Sequence, residues 1–181
     1  TPNTSLGAFT TKPALPAIGS PAFSNITNSA ITVNWNWGNN PVSGIEYFVQ
    51  KASDSAFQYE LADSGWIADF NYSFPGLQPT TLYYFRAKAR QQGNPSNESM
   101  GYVNFGSTAT TPNPPLPSAA TNISSVSVTA NWTANGNPSG TEYLAEKAED
   151  AGFAVNWSSS GWTADLLSRQ FGTALPAANG T

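Results

Sequence analysis

The chain repeats itself. Val33-Asn34-Trp35 returns as Ala130-Asn131-Trp132, Gly44-Ile45-Glu46-Tyr47 as Gly140-Thr141-Glu142-Tyr143, and Ser64-Gly65-Trp66-Ile67-Ala68-Asp69 as Ser160-Gly161-Trp162-Thr163-Ala164-Asp165. The offset is 97 between Trp35 and Trp132 and 96 from Gly44 onward, with Val42 as one extra loop residue in the first copy. A self-similar period decides the architecture before any single residue does. This period is too long for one turn of a solenoid and suits a small β-sandwich. The expectation is a tandem array, and such arrays space, bind or adhere more often than they catalyse.

The first copy alternates as half-buried strands do. Ile31, Val33 and Trp35 share one face, with polar residues between them. Asn39-Asn40-Pro41 breaks the run. Further strands are predicted at 45–51 (Tyr47 and Val49 inward), at 56–61, at 71–74 after an Asp63-Ser64-Gly65 turn, at 81–90 (Tyr83, Phe85, Ala87 and Ala89 on one face) and at 100–108. Short strands separated by turns rich in Gly, Pro and Asn indicate an all-β sandwich.

Leu77-Gln78-Pro79-Thr80-Thr81-Leu82-Tyr83-Tyr84-Phe85-Arg86-Ala87 resembles the sixth strand and lead-in of a fibronectin type III domain. Trp35 matches that family's core tryptophan in the second strand, and the Thr110-Thr111-Pro112 ending is family-like. The resemblance implies tandem seven-stranded fibronectin type III-like β-sandwiches. It makes Tyr83 the corner tyrosine, with its hydroxyl bonded to backbone near Leu77. The implied core residues are Trp35, Tyr47, Leu77, Tyr83 and Phe85, with Trp132 and Tyr143 in the second copy. The segmentation is 1–16 as the last strand and linker of a preceding repeat, 17–112 as a complete domain, and 113–181 as a domain lacking its last two strands. Three accounts of that incompleteness stand: the chain is a window on a longer one, a neighbouring chain supplies the strands, or the sequence is a fragment. Under the second, Leu6 to Thr11 is a candidate donor strand.

Composition narrows the function. Charged residues are 10% of the chain and the net charge is −4, so no basic face is expected for nucleic acid or an anionic membrane. No apolar run approaches a membrane span. With no Cys and no His, disulfides and the metal sites and triads built on those residues are excluded. The recurring carboxylates Glu46 and Glu142, Asp54 and Asp150, and Asp69 and Asp165 read as shared scaffold rather than as a catalytic pair in a cleft. Glu146, Glu149 and Asp150 form the densest acidic cluster and read as a solvated loop. No catalytic, cofactor or metal residue is assigned.

Contact candidates are aromatic. Trp66 and Trp162 are either caps on the core or platforms for sugar rings. Trp37, at a strand end, and Trp157, which has no counterpart in the first copy, are candidates for exposed contacts. Glycosylation signals stand at Asn3, Asn25, Asn71, Asn97, Asn122, Asn131, Asn156 and Asn179, about twice the number that chance gives. Asn131, beside inward Trp132, is expected to point outward.

Four prolines in Thr111-Pro112-Asn113-Pro114-Pro115-Leu116-Pro117 predict a semi-rigid joint. The expected function is an extracellular spacer or adhesive repeat of a surface or filament-forming protein, with other copies of itself or neighbouring repeats as partners. The alternative is an accessory, weakly carbohydrate-binding region of a secreted polysaccharide-degrading enzyme.

Overall fold

The computed structural model describes residues 10–172. They fall into two compact units that meet at Thr111 and Pro112. Every regular element among them is a β-strand.

The first unit has seven strands: β1 (Ala17–Ser24), β2 (Ala30–Asn36), β3 (Ile45–Ala52), β4 (Ala62–Ile67), β5 (Asn71–Pro75), β6 (Leu82–Gln91) and β7 (Val103–Ala109). They form two antiparallel sheets, ordered β1-β2-β5 and β4-β3-β6-β7. The inward residues meet between the sheets. Ile31, Val33, Trp35 and Phe74 come from the first sheet, and Tyr47, Val49, Tyr83, Phe85, Ala87, Ala89 and Phe105 from the second. Period-two alternation drives this packing, because each strand buries one face and leaves the other to solvent. Small Ala87 and Ala89 lie opposite Val49 and Tyr47 in register, which leaves room for the larger rings. Leu77 is also buried. The Gln78 amide donates to the Tyr83 hydroxyl at 3.1 Å.

Two strand expectations fail for local reasons. Residues 56–61 form no strand, because Asp54 gathers the chain into a loop. Its carboxylate accepts from the amides of Ala56 (2.9 Å), Gln58 (2.9 Å) and Tyr59 (2.7 Å). Phe57 and Glu60 adopt left-handed φ angles of 57° and 49°, which a strand cannot hold. The expected turn at 63–65 lies inside β4 as a bulge. The register slips between Phe48 and Gln50, the Val49 amide donates to Ser64 Oγ at 3.0 Å, and Gly65 takes φ 64°. Glycine inside a strand marks such an irregularity. Alternation also fails to reveal β1, whose pairing with β2 shifts between Ile18 and Phe23.

The second unit repeats the first five strands. β8 (Leu116–Thr121), β9 (Ser127–Thr133) and β14 (Ser168–Gly172) form a sheet ordered β14-β9-β8, matching β5-β2-β1. Phe171 pairs with Val128 as Phe74 pairs with Ile31. The counterpart of β3 and β4 is broken into two short ladders. β10 (Glu142–Tyr143) pairs with β13 (Thr163–Ala164), and β11 (Glu146–Lys147) with β12 (Ser158–Ser159). The break falls at the same bulge, where the Ala145 amide donates to Ser160 Oγ at 3.0 Å. In the first unit β6 runs beside β3 and carries the ladder past the bulge. Among the described residues no strand lies on that edge of β10 and β11.

Candidate functional site

The outer face of the four-stranded sheet carries the densest chemistry. Arg86, Lys88 and Arg90 alternate with inward Phe85, Ala87 and Ala89 on β6, so all three cations project from one side. The Arg86 guanidinium lies between the rings of Phe57 and Tyr102, 4.1 Å from each centroid, and its Nε donates to Gln50 at 3.0 Å. Lys88 pairs with Glu98 at 2.6 Å and Arg90 with Glu46 at 2.7 Å. Arg90 also stands 4.3 Å from the Trp66 ring centroid, and Lys88 5.2 Å from it. Each cation is therefore held by a ring and by a polar partner from a neighbouring strand or loop.

This corrects the reading of Trp66. It neither caps the core nor offers a free platform. It pairs across strands with outward Phe48, at 5.2 Å between ring centroids, beneath Arg90. Trp162, its counterpart, is 67% exposed. Phe153 shows the same contrast, at 51% exposed against 8% for Phe57 beneath Arg86. Exposure in the second unit thus falls on residues that β6 covers in the first. Trp157 is 53% exposed. Trp37 packs edge-on against Phe70 at 5.8 Å and stays 44% exposed. Tyr143 is buried and Trp132 half-buried. The indole nitrogens of Trp35 and Trp132 are both buried with no hydrogen-bond partner among the described residues.

Of the recurring carboxylates, Asp54 and Asp150 bind their own loops. Asp150 accepts from Gly152, Ala154 and Val155 as Asp54 does from its own loop. Desolvation opposes ionisation of Asp54, but its amide bonds outweigh it and hold the carboxyl below the usual carboxylate range. For Asp150 the amides of Val155 and Ala154 are the leading cause of the same downward shift. Asp165 accepts from the Gly140 amide at 2.9 Å and from the Ser139 hydroxyl at 3.1 Å. Among the described residues no three His, Cys, Asp or Glu side chains are grouped to hold a metal ion.

Of the glycosylation signals, Asn3 and Asn179 lie outside the described residues. Asn25, Asn71, Asn122 and Asn156 are exposed. Asn25 and Asn122 hold equivalent left-handed turn positions, at φ 46° and 49°. In those turns the Thr27 and Ser124 hydroxyls accept amides from Ala30 and Ser127, so the turn itself calls for both halves of the signal. The Asn97 amide is engaged with Thr11 and Gln91. Asn131 is half-buried instead of free, because its side-chain nitrogen donates to Ala119 O at 2.8 Å and Thr121 Oγ1 at 3.1 Å across the β8 bulge. Asn34 does the same for β1, donating to Pro21 O and Ser24 Oγ.

A second pair of asparagines, Asn40 and Asn137, recurs with the repeat. Asn40 Oδ1 accepts the Ala14 amide at 2.8 Å, while its Nδ2 donates to Ala14 O at 2.9 Å and Trp37 O at 2.9 Å. Asn137 repeats this on Asn113, at 2.7 and 2.9 Å, and also donates to the Tyr143 hydroxyl at 3.3 Å. Burial pushes the Tyr47 phenol above its ordinary value, with the Asn40 side chain beside it opposing the rise. The signal that could have found these residues is recurrence at the same offset, each time before proline (Asn40-Pro41, Asn137-Pro138).

The cavities follow the same division. One of about 390 Å³ in the first unit is lined by Lys12, Ala14, Asn40, Gln91 and Asn97. One of about 590 Å³ in the second unit opens along the uncovered edge beside Trp132, Tyr143 and Trp162.

Three strands facing four, with these pairings and a tyrosine bonded back to its own lead-in, define the first unit as a β-sandwich module. Residues 16–101 match the family model for the fibronectin type III domain. The first unit is a fibronectin type III domain, and the second repeats its first five strands. Among solved structures, the chain is similar to a fibronectin type III domain of human fibronectin type III domain containing protein 3. The identity is 20%, over 59% of this chain and 93% of that one, with a TM-score of 0.44. It is also similar to a two-domain fibronectin type III segment of chicken tenascin, at 14% identity over 91% and 85% of the two chains, with a TM-score of 0.49. No curated protein matches the sequence.

Proposed function

We propose that this chain is a structural spacer of an extracellular protein, acting at a cell surface or in a filament by reach and presentation. The supporting observation is where the recurring polar side chains point. Asn34 and Asn131, Asn40 and Asn137, Asp54 and Asp150, and Ser64 and Ser160 all bond the backbone of their own module. Duplication has kept these contacts, which fold a module. The test is replacement. In a longer protein that carries this chain, an unrelated pair of β-sandwiches of equal length should preserve function, whereas loss on replacement would reveal a specific surface.

Assembly between copies belongs to the same proposal. Among the described residues no strand pairs with the outer edge of β10 and β11, which supports it, since an open edge is a template for another strand. Cross-linking mass spectrometry on native material should then join residues around Tyr143 to another copy. Links confined to one chain would exclude assembly there.

The carbohydrate reading draws on exposed Trp162. Its counterpart Trp66 sits beneath Arg90, so the pair does not form two like platforms. A soluble polysaccharide that binds the chain, with binding lost in Trp162→Ala, would restore that reading.

A further inference from the structure

We propose that Asn40 and Asn137 are linker latches, each fastening the segment that precedes a module onto that module, and that Asn137 thereby reduces the joint between the two units to a single residue. An asparagine side chain carries one acceptor and two donors at fixed geometry. Here it exchanges both hydrogen bonds with one linker residue, as a residue in the facing strand of a narrow antiparallel pair does. Asn40 does this with Ala14, and Asn137 with Asn113.

The latch is built locally. In the first unit the amide of Asn40 donates to Trp37 O at 3.0 Å, closing the turn that follows β2. The proline after each latch disfavours helical backbone at the asparagine. Asn40 is buried, so its exchange with Ala14 is shielded from competing water. Further amides reinforce each latch. Asn97 donates to Thr11 O at 3.2 Å, Asn135 to Pro114 O at 2.9 Å, and Asn113 itself to Asn135 O at 2.8 Å.

The consequence lies in the chain between the units. Thr111 is fixed in the first, where its amide donates to Thr27 O at 3.0 Å and its carbonyl accepts from Thr80 at 3.3 Å. Asn113 is fixed in the second by Asn137. Only Pro112 lies between, and its ring sets φ. Asn113 is in turn restricted by the proline after it. A joint with so few free dihedrals has little room to hinge. The latch stands on the geometry, while its purpose rests on the spacer reading.

The test is amide hydrogen exchange by NMR on the whole chain, with Asn40→Ala and Asn137→Ala as separate variants. The Ala14 and Asn113 amides should be protected in the parent chain. Asn40→Ala should speed exchange at Ala14 by about tenfold or more while Asn113 and the β2, β3 and β6 amides keep their protection. Asn137→Ala should do the reverse. Asn137→Asp should give an intermediate effect at neutral pH, because an ionised carboxylate still accepts from Asn113 but cannot donate to its carbonyl. Should Asn137→Ala unfold the second unit, Asn40→Ala in the seven-stranded unit still decides. Fast exchange at Ala14 in the parent chain, or unchanged exchange in Asn40→Ala, overturns the latch. Neither result depends on spacing, so the spacer reading would fail separately, on inter-unit distances.

Discussion

At the scale of single residues, the first unit is held by a few exacting contacts. The Tyr83 hydroxyl receives the Gln78 amide, and Tyr83→Phe removes that acceptor while keeping the ring. Denaturant unfolding should show a loss of about 1–2 kcal/mol, with an unchanged m-value. Trp35 fills the centre between the sheets, and truncation to alanine should cost about 3–5 kcal/mol. Gly19 is fixed by space rather than by φ. A Cβ there would stand 2.6 Å from the backbone oxygen of Asn34, which β2 cannot move without breaking its ladder. Gly19→Ala should lower the melting temperature and perturb the amide shifts of β1 and β2, whereas Gly44→Ala meets no neighbour and is strained only by its φ of 77°. The core was legible from the sequence because burial writes period two into Ile31, Val33 and Trp35. The roles of Asn34, Asn40 and Asn131 were not, because an asparagine open to solvent and one bonding a neighbouring segment look alike until the partner backbone is placed.

At the scale of elements, bulges and loops explain what pattern reading lost. β1, β4 and β7 each carry a register shift, and all three are edge strands of the first unit. Such irregularities discourage pairing with other chains, which suits a surface with few charges to keep neighbours apart. They also disturb the alternation by which strands are recognised, so β1 was invisible and β4 displaced. The Asp54 and Asp150 loops make a prediction about pH. Both carboxyls titrate below their ordinary value, so the unfolded chain takes up their protons first as pH falls. Their stabilisation is complete above the unfolded pKa of about 4 and is lost as pH drops through the lower folded values. Amide exchange at Tyr59 and Val155, measured against a core amide such as Val49, should rise selectively below about pH 4. Asp54→Asn should abolish that dependence at Tyr59 and leave it at Val155.

At the scale of the whole molecule, the repeat acts as an internal control. The same tryptophan, phenylalanine and glutamate occur in both copies, and Arg86 and Arg90 cover them in one while they stand exposed in the other. Trp162 is exposed where Trp66 is covered by Arg90 of β6, a difference that the shared motif in the sequence does not show. The β6 face should also contribute to the stability of the first unit. Arg90→Met should cost about 1 kcal/mol through the combined loss of the Trp66 stack and the Glu46 pair. The central claim is that the chain spaces, through modules joined with little freedom. Its most direct test is the distance distribution between two spin labels, one in each unit, measured by double electron–electron resonance. The chain has no native cysteine, so Ser107→Cys and Ala151→Cys place the labels without interference. The account predicts one narrow peak, little wider than that of a label pair within the first unit. A broad distribution would show that the units hinge freely about Pro112 and would contradict it.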